Sequence, residues 1–196
     1  MKKIVTIVLI ALLSACASVT KMEGDQLVNN RMVVKVGDAW NKVSVPALNQ
    51  PYDLWTQEGI ALDQLRLWAG IRSGDPLLKG SGYVPAGQTA PRVPTFTAGM
   101  APDQLVSLFE SVYSRDGSLV KITKVEVATF AGSKGVRFEF SVTRKSDDVQ
   151  MRGTAWAAIK DNELFAAAFT APEMSFYKRL LPLAEDIAKS AQIRKL

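Results

Sequence analysis

Two glutamates, a serine–lysine spacing and a lone thiol are the groups in this chain whose types and placement could do chemistry. Glu126 and Glu139 flank Ala131-Gly132-Ser133-Lys134. If those four residues form a loop between paired strands, the two carboxylates face each other at about 5 Å, the separation used in retaining glycoside hydrolysis. A two-residue slip instead sets Glu126 opposite Arg137. Opposite charges stabilise a cross-strand pair and like charges destabilise it, which favours the second register. Ser175 and Lys178 have the S-x-x-K spacing of a serine nucleophile with a lysine base, but the companion S-D-N and K-T-G motifs are missing. Histidine is absent and Cys16 is the single cysteine. The usual ligands for zinc, copper and haem are thereby removed, together with the usual general base. No glycine-rich phosphate loop or calcium loop occurs either. The sequence therefore points to no metal, no cofactor and no enzyme.

The elements that must position these residues form an α+β pattern. Four segments alternate apolar and polar residues as strands do: Leu119 to Phe130, Lys134 to Lys145, Val149 to Lys160 and Glu163 to Thr170. One face takes Val125, Val127, Val136, Phe138, Phe140, Val142, Met151, Ala155, Ala157 and Ile159. With Asp161-Asn162 as a two-residue turn, Leu164, Ala166 and Ala168 join that side. The other face is charged at one end, with Lys124, Glu126, Arg137, Glu139 and Arg152, and aromatic at the other, with Trp156, Phe165 and Phe169. Such a face could bind a ligand, the rings supplying area and the arginines orienting an anion. Alternatively the N-terminal strands or a long loop cover the aromatic end, because three exposed rings invite aggregation.

A helix is expected from Pro102, with Leu105, Leu108, Phe109 and Val112 along one stripe. A second is expected from about Pro172, with Thr170 and Glu173 spaced as a capping box and Phe176, Leu180, Leu183, Ile187 and Ala191 at helical spacing. Pro182 should kink or break it. Both helices are expected on the Val/Phe/Ala face, giving an antiparallel β-sheet with two helices packed on one face. Further N-terminal strands are read from Met32 onward, including the alternating Leu65, Leu67, Ala69 and Ile71. Residues 70–99 carry six glycines and four prolines. That density favours a long loop, which with Tyr83 and Phe96 is a candidate binding element.

Composition fits an exported globular domain: 47% hydrophobic, 22% charged, net charge +5 with the two signs interleaved. No basic stripe forms, so no nucleic-acid partner is expected. At the start, Lys2 and Lys3 precede a run from Ile4 to Leu13 in which Thr6 is the only polar residue, then Ser14-Ala15-Cys16. As a helix this run spans about 15 Å, half a bilayer's hydrocarbon core, which suits a cleaved signal and not a finished transmembrane anchor. Leu13-Ser14-Ala15-Cys16 resembles the lipobox of bacterial lipoproteins. That resemblance implies cleavage before Cys16, lipid on its sulfur and, with Ala17 in place of aspartate, a place on the periplasmic side of a Gram-negative outer membrane. The organisation is then a signal peptide over 1–15, a lipidated tether over 16–30 and one α+β domain over 31–196.

The lipobox, the strand meander and the terminal FYKRLLPLAEDIAKSAQI together resemble the PsbP/DcrB-like group of small lipoproteins and lumenal proteins. The resemblance implies a binding or assembly factor without a shared active site. The partners expected are the membrane, through the anchor, and an envelope protein or glycan. The other readings are a carboxylate-dependent hydrolase of envelope glycan, resting on Glu126 and Glu139, and a purely structural lipoprotein.

Overall fold

The computed structural model describes residues 18–44, 49–80 and 92–195. Among them, strands β1 (Ser18–Val28), β2 (Met32–Ser44), β3 (Asp53–Thr56) and β4 (Gln64–Arg72) precede helix α1 (Pro102–Ser114). Strands β5 (Leu119–Phe130), β6 (Ser133–Thr143), β7 (Gln150–Lys160) and β8 (Glu163–Pro172) follow. A π-helical turn (Glu173–Tyr177), helix α2 (Lys178–Ser190) and a short β9 (Gln192–Ile193) end the chain. The strands form one antiparallel sheet in the order β1-β2-β3-β4-β8-β7-β6-β5, and β9 pairs with the start of β2.

Turn chemistry sets the register of the meander. Ala131 and Gly132 both have positive φ, as do Asp161 and Asn162. This is the geometry of two-residue hairpins whose twist matches that of the strands. Phe130 consequently pairs with Ser133 and Ile159 with Leu164.

The α+β class, the antiparallel sheet and the two helices agree with the sequence reading, but the helices do not share a face. Alternation sends Val136, Phe138, Phe140 and Val142 to one side, where Leu105, Leu108, Phe109 and Val112 of α1 cover them. Trp156, Phe165 and Phe169 point to the other side and are covered by Leu180, Ala184 and Ile187 of α2, together with Trp40 and Trp55. The reason lies in β8, whose residues Leu164 to Ala171 are all buried. A strand buried on both faces needs a cover on each.

Other differences have local causes. Residues 18–28, expected within a tether, form β1. As an edge strand, wet on most of its length, it lacks the apolar alternation that would betray it. Leu65, Leu67 and Ala69 share one core, but Gly70, at φ +71°, makes a bulge that sends Ile71 to the opposite face beside Trp68. Val125 and Val127 lie on the α1 side yet stay 52% and 72% exposed, because β5 is the sheet edge and α1 does not reach them. Thr170 belongs to β8 and caps nothing; the chain enters α2 through the π-helical turn, and Pro182 sits within the helix without ending it. Within the long loop, Pro76 bridges Thr95, and Phe96 is a fully buried core side chain.

Gly153 lies directly across from Phe140, whose ring occupies the space a Cβ would need. Gly153→Ala is expected to lower stability by about 1–3 kcal/mol through overpacking, read as a shift in urea midpoint at constant slope.

Candidate functional site

The mixed face of the meander is built by register. With a two-residue turn at Ala131-Gly132, Glu126 pairs with Arg137, and a bulge after Ile122 keeps Lys124 opposite Glu139. The opposed-carboxylate arrangement is therefore not formed. Arg137 Nη1 donates to Glu126 Oε1 at 2.9 Å and to Glu139 Oε1 at 3.0 Å, and its Nη2 to Glu185 Oε1 of α2 at 3.2 Å. Arg152 Nη2 reaches Glu139 Oε2 at 3.1 Å, and Nη1 reaches Glu173 Oε1 of the π-helical turn at 3.5 Å. Lys124 closes the outer end on Glu126 at 2.7 Å.

The two guanidiniums also stack on the rings that were candidate binding groups or their neighbours. Arg137 lies 5.8 Å from the Trp156 ring centroid and Arg152 lies 5.4 Å from that of Tyr177. Beneath them the Thr154 hydroxyl and the Tyr177 phenol share a 2.6 Å hydrogen bond. Trp156 is only 6% exposed, and Phe165 and Phe169 are fully buried, as is Phe96 on the opposite side of the sheet. These four rings are core and offer no surface to a ligand. Arg137 and Arg152 are committed to carboxylates of their own chain. Tyr83 and Cys16 lie outside the described residues.

Electrostatics points the same way. The Glu126 carboxyl is held below the ordinary carboxylate value first by its hydrogen bond from Lys124 and then by that from Arg137. At Glu139 burial pushes upward, but hydrogen bonds from Arg137 and Arg152 outweigh it and the net direction is down. A glycosidase acid needs a raised pKa so that it holds a proton at working pH. Both groups here are anions that hold Arg137 and Arg152 in place, and Arg137 in turn reaches Glu185 of α2. Ser175 and Lys178 are exposed on the π-helical turn and the first residue of α2, with no base hydrogen-bonded to the hydroxyl among the described residues. Buried Asp63 is saturated by Thr56 Oγ1 and the backbone N–H groups of Gln57 and Glu58 at 2.7–2.8 Å, which shapes the β3–β4 loop. Among the described residues no group of three Asp, Glu, His or Cys side chains could hold a metal.

No family model matches the chain, and no curated protein matches it in sequence. Among solved structures it is similar to cyanobacterial PsbP (CyanoP) from Synechocystis sp. PCC 6803, with a TM-score of 0.56 and 13% identity over 93% of this chain and 96% of that one. The chain has a PsbP-like fold. At this identity the PsbP likeness concerns the backbone alone.

One polar group escaped the sequence reading altogether. Tyr52 precedes β3, Arg66 lies in β4 and Tyr113 is in the last turn of α1, yet the Arg66 guanidinium lies 5.2 Å and 5.1 Å from the two ring centroids. No motif links residues so far apart in the chain. The only available signal was Arg66 itself, a charge in the middle of an apolar strand.

Glu126 and Glu139 stabilise the fold as anions. That contribution is present above their unfolded pKa and is lost as pH falls through their depressed folded values, below the ordinary 4.5. Arg137→Gln is expected to cost about 1–3 kcal/mol at neutral pH, less than a fully buried pair because Glu126 is partly exposed. It should also flatten the loss of stability below about pH 4.5 relative to the parent. Urea titrations of both proteins across that range check both outcomes.

Proposed function

We propose that this chain is a lipid-anchored protein of the bacterial envelope, tethered through Cys16 on the periplasmic side of an outer membrane, that acts as a binding or assembly factor without catalysis. The observation that carries the absence of catalysis is the closed ion-pair network. Every carboxylate and guanidinium of the most chemically equipped patch is paired within its own chain, and the Glu126 and Glu139 carboxyls are held below the ordinary carboxylate value. A site of that kind holds a fold together and has no proton to give.

The lipid anchor is supported by the sequence Leu13-Ser14-Ala15-Cys16 behind a short apolar run. No described helix is long and apolar enough to cross a membrane. One acyl chain gives marginal, reversible attachment, whereas two or three, at about 0.8 kcal/mol for each buried methylene, hold firmly.

Cells fed labelled palmitate are expected to label the parent protein and not a Cys16→Ser variant, and the parent should sediment with membranes. A water-soluble, unlabelled parent overturns the anchor. The glycan-hydrolase reading is tested separately: purified parent protein incubated with envelope glycan is expected to release no reducing ends, and release that Glu126→Gln abolishes would overturn the non-catalytic reading.

A further inference from the structure

Arg137 and Arg152 have their carboxylates; Arg66 does not. Arg66 Nε and Nη2 both donate to Gln64 Oε1, at 3.2 Å and 2.8 Å, which fixes the guanidinium plane and uses two of its five N–H groups. The remaining Nη protons meet no acceptor among the described residues. Arg31, Arg72, Arg144 and Arg179 are each paired with an Asp or Glu, whereas Arg115, like Arg66, has no carboxylate partner among the described residues. Residues 1–17, 45–48 and 81–91, which lie outside the description, contain neither Asp nor Glu.

A second donor is left over at the same place. The Tyr113 hydroxyl is fully buried and has no hydrogen-bond partner among the described residues. Burial pushes its pKa up to about 12, against the lowering influence of Arg66, so the phenol keeps its proton at any physiological pH. Buried donors without acceptors are rare in folded proteins because each costs its full desolvation. Around the pair, Tyr52 packs on Trp68 at 5.2 Å and Tyr113 on Phe140 at 4.8 Å, which gives the donors a rigid aromatic setting. Reciprocal hydrogen bonds between Gln50 and the backbone of Lys79 hold the segment that carries Tyr52.

We propose that Arg66 and Tyr113 form a binding site for a carboxylate, which takes the free Nη protons of the guanidinium and the orphan phenol hydrogen. The charge balance selects this class. The planar fork of the stacked Arg66 guanidinium matches a carboxylate, and the partial negative charge at the end of α1, where Tyr113 lies, opposes a dianion more than a monoanion. The site goes beyond the envelope reading and does not depend on the lipid anchor.

The test is a titration of the full-length protein, followed through the Arg66 Nε–H resonance, with sodium acetate, N-acetylglutamate α-methylamide, acetamide and inorganic phosphate. Acetate and the blocked glutamate are expected to shift the resonance saturably while acetamide does not. Tighter binding of the blocked glutamate identifies a polypeptide side chain as the source, and equal binding identifies a free small acid. Arg66→Gln, read through the neighbouring Tyr52 ring protons, and Tyr113→Phe are each expected to weaken binding by at least about tenfold. The Arg144 Nε–H, already bonded to Asp147, stays unmoved. The proposal is overturned if phosphate binds more tightly than acetate, if acetamide produces the same shift, if no shift saturates, or if folded Tyr113→Phe binds acetate as the parent does. Because Tyr113→Phe removes one unpartnered oxygen only, it decides the matter even if Arg66→Gln fails to fold.

Discussion

Burial of β8 on both of its faces is the constraint from which the rest of the structure follows. Along this strand and its neighbour β7, seven alanines lie around a few large rings. Small side chains let covering elements approach closely, and a strand with no wet side obliges the chain to supply a layer above and a layer below. Helix α1 and the 94–96 segment form one layer; α2, Trp40 and Trp55 belong to the other. The remaining polar architecture sits at the margins of those two layers, where charged side chains can still reach water.

Much of this was legible before any coordinates. The meander alternates strictly, so its strand limits and its Asp161-Asn162 turn could be read directly, as could the apolar stripe of α1. Helix placement was not legible: aggregation risk alone argues that N-terminal strands cover Trp156, Phe165 and Phe169, as Trp40 and Trp55 do, but nothing in the pattern puts α2 beside them. Local patterning shows which residues share a side, but not how many sides will be covered. Strand β1 was hidden for a related reason: a solvated edge strand carries no apolar period, and its partner β2 is what holds it in place.

The polar patches show the same division. The Glu126–Arg137 register was decidable from charge pairing, and turn geometry fixed it. Glu185 and Glu173 complete that network from the terminal helix region, a contribution invisible while α2 was assigned to the wrong face. Tyr52, Arg66 and Tyr113 meet only through the tertiary fold. The two patches also differ in kind: one is saturated from within, so its charges serve cohesion, while the other leaves hydrogens without acceptors beside stacked rings, which stability alone does not explain.

Strand β1 starts at Ser18, opposite Ser44, and turns back at Asn29-Asn30. A force drawing Ser18 away from the body would act at the open end of this hairpin, so its rungs would open in succession and not all together in shear. Peeling the eleven residues of β1 releases up to roughly 35 Å of chain at about 3.3 Å for each. The core beneath would be little disturbed, since only Val28 of β1 is buried in it. Under mechanical load the domain thus carries its own slack, a leash stowed as the outermost strand of the sheet.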